Sequence, residues 1–232
     1  MRRLSIVIPA YNEAESLAGV IQDVQQAARK LDALEIVLVD DGSTDGTGEV
    51  MDRFTLADPR VTVRHLGARR GLGRALATGF GAATLDLVAW LPADGQFSVD
   101  SILRLIDSLD DADIVTSDVR VDERRRVDRQ WRVCLMQGLK ATMRLLAGRR
   151  LPMFTGLPVM RRRVFEHITL TSATGIINFE LVAKARRAGC RVTKATLPIE
   201  ITHRRAGHSK VANISTTLKH VVDILRLRWA CR

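Results

Sequence analysis

Three short apolar runs, Leu4–Ile8, Ile36–Val39 and Leu87–Leu91, each stop at residues that a buried strand does not continue through. The first ends in Pro9-Ala10-Tyr11-Asn12-Glu13, the second in Asp40-Asp41-Gly42-Ser43, and the third in Pro92-Ala93-Asp94-Gly95-Gln96. Apart from Ser5 the runs are apolar at consecutive positions, as expected of strands covered on both faces. Segments of helical period separate them. Leu17, Val20, Ile21, Val24, Ala28 and Leu31 recur at helical spacing, and Asn12 with Glu15 three residues later has the form of a capping box. A short helix around Thr47–Phe54, a strand at Val61–His65, a small-residue helix over Gly71–Ala83, a helix over Ser98–Leu109 and a strand at Asp113–Thr116 complete the alternation. This order predicts an α/β three-layer sandwich with a mostly parallel sheet. Ligands of such sheets bind at the carboxyl ends of the strands, so the three polar strand ends are expected to meet on one edge.

After residue 119 the pattern changes. Arg120–Arg150 is a basic amphipathic region around Leu135, Leu139, Met143 and Leu146. A strand at Thr155–Met160, a helix at Ile176–Ala188, a strand at Arg191–Ile201 and a basic loop at His203–Lys210 follow. In the final helix Ile214, Leu218, Val221, Val222, Leu225 and Trp229 are expected to share one face. The expected division is a domain over residues 1–210 and a basic amphipathic helix over 211–232.

Charge divides the chain in the same place. Residues 1–119 carry 11 basic and 19 acidic side chains, whereas residues 120–232 carry 25 and 7. A basic second half suggests an anionic partner. Aromatics are only 4% of the chain, which argues against a base-stacking nucleic-acid binder. Cys134, Cys190 and Cys231 form no CxxC pair, and the five histidines have no metal-ligand spacing, so neither a disulfide framework nor structural zinc is expected. The first residues read as a strand rather than a signal peptide, and no run approaches the roughly 18 apolar residues of a membrane span. The expected location is cytoplasmic and peripheral on the inner face of the membrane.

LSIVIPAYNEAESL, EIVLVDDGSTDGT and LVAWLPADGQF, in that order, resemble family 2 glycosyltransferases of the Rossmann-like GT-A fold. TGLPVMRR, NFELVAKARRAGCRV and HRRAGHSK extend the likeness over almost the whole chain, and within the family it looks most like the polyprenyl-phosphate glycosyltransferases of the dolichyl-phosphate mannose synthase type. The resemblance implies an inverting enzyme that moves a sugar from a nucleotide-diphosphate sugar to polyprenyl phosphate. Residues 1–119 would form the nucleotide-sugar half and 120–210 the acceptor half. Pro9, Ala10, Tyr11 and Glu13 would hold base and ribose, and Asp41 would accept from a base edge, since a carboxylate accepts N–H groups. The blander alternative is that Asp40 or Asp41 caps the next helix, with Ser43 and Thr44 as rivals, but two acids in tandem favour a functional role for at least one. Gly71, Gly73 and Arg74 match a glycine-rich turn near the diphosphate, and Ala93 would line the sugar site.

Relatives carry Asp-x-Asp-x-Gln where this chain has Pro92-Ala93-Asp94-Gly95-Gln96, and an acid where it has Pro152. Asp94 and Gln96 remain to hold Mg²⁺ or Mn²⁺ with phosphate oxygens and waters. On the acceptor side Arg204, Gly207 and Ser209 match an Arg-x-x-Gly-x-Ser phosphate-contacting element, and Arg120 lies near another phosphate-binding arginine. Asp94 and Arg204 are therefore the expected catalytic pair, with Arg120, Arg204 and Ser209 on the acceptor phosphate. Guanidinium forks suit phosphate oxygens. A phosphate monoester is already largely ionised, with a second pKa of about 6, so no dedicated general base is required. Glu180 is the nearest candidate base and reads equally well as a helix N-terminal acid. The final helix reads as either a membrane-surface element or one packed on the domain or a partner protein. Transfer to a hydroxyl acceptor and a non-catalytic nucleotide-sugar or membrane-binding module are the competing readings.

Overall fold

The computed structural model describes residues 2–120, 156–196, 199–200, 220 and 222–223; of Arg120, Ile199 and Glu200 it describes the backbone alone. The chain runs β1 (Arg3–Ala10), α1 (Ala14–Ala27), β2 (Ala33–Asp40), α2 (Thr47–Ala57), β3 (Val61–His65), α3 (Leu72–Ala82), β4 (Leu87–Trp90), α4 (Val99–Asp107), β5 (Ile114–Thr116) and β6 (Val119–Arg120). It continues through β7 (Val159–Arg161), α5 (Ile177–Arg187), β8 (Val192–Lys194) and β9 (Ile199–Glu200).

Seven strands form one sheet in the order β3-β2-β1-β4-β7-β5-β8, and β6 pairs with β9 in a separate ladder. Among the described strands of the large sheet, only β7 runs antiparallel to its neighbours. The core lies along the centre of this sheet. In β1, Leu4 through Ala10 are buried without interruption, as a strand covered on both faces requires. α1 packs against α2 and α4, and α3 lies across β1 and β2.

The strand order reverses between β1, which leads to β2 and β3 on one side, and β4 on the other. Such a switch point opens a crevice at the carboxyl ends of the strands. Pro9 marks the opening. Val7 carbonyl accepts from Leu91 N–H at 2.9 Å on the β4 side, and Ala10 carbonyl accepts from Asp41 N–H at 2.9 Å on the β2 side. By the alternation of a strand, the nitrogen of Pro9 faces β4 just beyond the last β1–β4 pair, Val7↔Trp90. A residue with no N–H is tolerated there because the two strands part.

Three expectations are corrected. Helix α1 is capped at Glu13, not Asn12, and no side chain closes a capping box. Asn12 instead adopts φ +54°. The strand expected over Thr155–Met160 is Val159–Arg161. The single strand expected over Arg191–Ile201 is two, β8 beside β5 and β9 beside β6, so the chain changes ladders within that stretch. In the C-terminal segment Val222 is exposed and the acid Asp223 is buried, and Ile214, Leu218, Val221, Leu225 and Trp229 lie outside the described residues.

Candidate active site

β2, β1 and β4 are neighbours, so the three polar strand ends come to one edge as the sequence predicts. The loops after β1 and β2 are laced together. Asn12 N–H donates to Ser43 Oγ at 3.0 Å, Thr44 N–H to Asn12 Oδ1 at 2.8 Å, and Glu13 N–H to Thr47 Oγ1 at 2.8 Å. The left-handed Asn12 is what turns the β1 loop toward the β2 loop, a conformation that asparagine accepts more readily than most residues. Glu13 accepts from Ser16 Oγ at 3.1 Å. Tyr11 lies under the Arg69 guanidinium, 4.1 Å from ring centroid to Cζ, a contact the sequence pattern does not reveal.

The tandem aspartates do different jobs, and neither caps α2, whose N-cap is Gly46. Asp40 Oδ1 accepts from Ser43 N–H at 2.9 Å and its Oδ2 meets His65 Nδ1 at 3.2 Å. Burial would raise the Asp40 carboxyl, but the Ser43 and His65 contacts hold it below the usual range. Asp41 crosses to the third loop, accepting from Arg70 N–H at 2.7 Å and from Gly71 N–H at 2.9 and 3.1 Å. Burial pushes the Asp41 carboxyl above the usual range in spite of these two amides. Gly42, at φ +74°, is packed so that a Cβ would come within 2.5 Å of the Ala68 backbone, which explains a glycine directly after the acids.

Gly71 caps the N-terminus of α3. Gly73 N–H donates to Ala173 carbonyl at 3.0 Å, and a Cβ on Gly73 would lie 2.2 Å from Ser172 carbonyl oxygen. That oxygen belongs to backbone held by other bonds, so it cannot swing aside. Gly73→Ala should therefore part α3 from the 171–174 loop. For the nucleotide site that the sequence resemblance implies, the expected result is an affinity at least tenfold weaker by titration calorimetry, about 1.4 kcal/mol. Unchanged affinity would show that this contact does not shape the pocket. Arg74 follows in the first turn of α3, where it and Arg70 line an open cleft of about 540 Å³ with Leu66, Ala77 and Thr78.

At the end of β4, Ala93 and Asp94 are buried, and Asp94 Oδ1 accepts from Gln96 N–H at 3.0 Å. This turn fixes the carboxylate at the strand end with the Gln96 backbone folded against it. Among the described residues no three His, Cys, Asp or Glu side chains gather into a metal-holding group. Asp94 and Gln96, the two residues that the sequence resemblance offers to a cation, lie together at this turn. That fits a hard cation whose remaining ligands come from a diphosphate and water, because Mg²⁺ commonly uses one or two carboxylates plus substrate phosphates.

Glu180 is only 1% exposed. It accepts from Thr171 N–H at 2.9 Å, Thr171 Oγ1 at 2.7 Å, Ser172 N–H at 2.8 Å and Lys184 Nζ at 2.6 Å. Burial would raise its carboxyl, but Lys184, Ser172 and Thr171 hold it below the usual range. A carboxylate so occupied braces a loop and is a poor proton acceptor. Its partners are the 171–172 loop and Lys184 rather than the amides at the start of its own helix. Arg120 pairs with Glu200 through the β6–β9 backbone ladder. Arg204, Gly207, Ser209 and Pro152 lie outside the described residues, as do Arg124–Arg126.

Residues 5–169 match the family described as glycosyl transferase family 2. The chain belongs to that family. It is 32% identical over 221 residues to the polyprenol monophosphomannose synthase of Mycolicibacterium smegmatis, covering 91% of this chain and 82% of that one. It is 28% identical to the undecaprenyl-phosphate mannosyltransferase of Micrococcus luteus, covering 99% of this chain and 96% of that one. The fold matches a mannosyltransferase of Pyrobaculum calidifontis in complex with GDP-Man and Mn²⁺, with a TM-score of 0.63 and 22% identity. That match covers 97% of this chain but 64% of the other, less than two thirds of its length. This glycosyltransferase has the GT-A fold, and the Mn²⁺ crystallised with its structural neighbour fits a requirement for a divalent cation. Among the described residues no helix is long and apolar enough to cross a membrane.

Proposed function

We propose that this glycosyltransferase moves a sugar from a nucleotide-diphosphate sugar to a polyprenyl phosphate with inversion at the anomeric carbon. The observation that carries the reading is the convergence of the β1, β2 and β4 ends. It puts Tyr11, Glu13, Asp41 and Asp94 at one switch point in a chain whose relatives are named for polyprenyl-phosphate acceptors. Ala10, Tyr11 and Glu13 hold base and ribose, with Pro9 opening the crevice. The 69–74 turn, braced on Asp41, carries Arg69, Arg70 and Arg74 beside the phosphates. Asp94 and Gln96 hold a divalent cation, Mg²⁺ or Mn²⁺, which when bound neutralises charge on the departing diphosphate.

The bonding of Glu180 supports the acceptor chemistry. Glu180 is taken by four donors, which suits an acceptor that arrives ionised and needs no base. Arg120, Arg204 and Ser209 orient the acceptor phosphate, and the basic residues of the second half keep the protein at an anionic membrane, each basic residue near the surface being worth about 1 kcal/mol.

Two acceptors that differ only in the phosphate test this reading. Polyprenyl phosphate should accept sugar, with a rate that rises as pH passes about 6, and the unphosphorylated polyprenol should not. Comparable transfer to both would overturn the assignment of a phosphate acceptor. Arg204→Ala should raise the KM for polyprenyl phosphate about tenfold, about 1.4 kcal/mol, with nucleotide affinity little changed. A loss confined to nucleotide affinity would place Arg204 on the donor side.

A further inference from the structure

Four consecutive backbone N–H groups, those of Thr171, Ser172, Ala173 and Thr174, are held by two carboxylates. Glu180 takes the first two. Asp223 takes the second two. Its Oδ2 accepts from Ala173 N–H at 3.1 Å, Thr174 N–H at 3.0 Å and Thr174 Oγ1 at 2.8 Å. Asp223 is 3% exposed and lies 49 residues beyond Thr174 in the chain. The carbonyls of the same loop face α3. Ala173 carbonyl accepts from Gly73 N–H at 3.0 Å, and Ser172 carbonyl lies against the Gly73 Cα. From there the Arg70 and Gly71 N–H groups reach the Asp41 carboxylate. One line of hydrogen bonds thus runs from the C-terminal segment through the 171–174 loop and the α3 N-terminus to the end of β2.

We infer that Asp223 is a positioning residue that couples docking of the C-terminal segment to the shape of the nucleotide pocket. The Arg-x-x-Gly-x-Ser element of residues 204–209 lies in the chain between β9 and Asp223, so the acceptor-side sequence is bracketed by the β6–β9 ladder and this carboxylate. Losing Asp223 strands two backbone N–H groups beside Thr174, itself buried, and unmade hydrogen bonds of that kind are costly. The inference rests on the assignment of the Asp41 end of the sheet as the nucleotide site.

The test uses the full chain with UDP or GDP and Mn²⁺ as probes, and hydrogen exchange of peptides spanning 70–74. Asp223→Ala should weaken nucleotide binding about tenfold, and exchange across 70–74 should quicken at least tenfold while β2 is unchanged. All three donors reach one oxygen, so Asp223→Asn, which keeps one carbonyl oxygen, should stay within threefold of wild type in both measurements. Val24→Ala, a buried change in α1, is the control for lost stability and should leave nucleotide affinity unchanged. Unaltered exchange at 70–74 in Asp223→Ala, or an equal affinity loss in Val24→Ala, would overturn the coupling. If wild type bound neither nucleotide, the function reading would fail, and the exchange result would still decide the coupling.

Discussion

Asp94→Ala lowers sugar transfer about a thousandfold or more, a barrier increase of about 4 kcal/mol, while the protein stays folded. The reason is the donor set at the end of β4. Pro92 stands where relatives carry a second acid, so Asp94 supplies the carboxylate of this turn, oriented by the Gln96 N–H at 3.0 Å. Removing it takes away the group that anchors the cation against the departing diphosphate, and electrostatic stabilisation of that kind contributes several kcal/mol. Asp94→Asn keeps the size of the side chain and an acceptor for Gln96 but not the charge, so it should fall nearly as far. Initial rates with labelled nucleotide sugar, together with thermal unfolding, check both variants. A rate within threefold of wild type for Asp94→Asn would show that the charge has no part in transfer.

The largest effect on stability is expected at Glu180. Glu180→Ala removes a buried carboxylate from four donors at once, and breaking one side of a buried pair costs about 3–5 kcal/mol. The sign of the pH dependence follows from the direction of its shift. The folded carboxyl lies below the usual range, and an unfolded glutamate titrates near pH 4.3. The stabilisation is therefore fully present above that pH and is lost as pH falls through the lower folded value. Denaturant unfolding of wild type should show this acid loss, and Glu180→Gln should lack that part of the slope. Because the same carboxylate holds the 171–172 amides, the variant should also bind nucleotide more weakly. A variant as stable as wild type at pH 7 would contradict the bracing role.

The features legible in the sequence are those with local causes. The stretches Ile6–Ile8 of β1 and Ile36–Val39 of β2, and all of β4, are unbroken apolar runs, the signature that burial on both faces leaves. Their ends could be placed on one edge because a parallel sheet puts all its carboxyl ends on the same side. Asn12 was legible as special but not in its role: the Asn12–Glu15 spacing suits a cap, yet Ser43 and Thr44, some thirty residues away, offer it better partners. Strand β7 is three residues long and antiparallel, too short for a periodic pattern. β8 and β9 read as one run because the change of ladder between them depends on β5 and β6. Asp41, Glu180 and Asp223 bind backbone N–H groups, and these belong to every residue type, so no side-chain pattern announces those contacts even where the acid itself stands out. The same reason hid the line from Asp223 to Asp41, which passes through amides and carbonyls of the 70–73 and 171–174 segments.

Transfer of label is the most direct test of the central claim. Purified protein would be incubated with a labelled nucleotide-diphosphate sugar, Mn²⁺ and polyprenyl phosphate, and the products partitioned between organic solvent and water. The account predicts label in the organic phase, dependent on polyprenyl phosphate and absent with Asp94→Ala. Label passing only into a water-soluble product, with the organic phase blank, would contradict it.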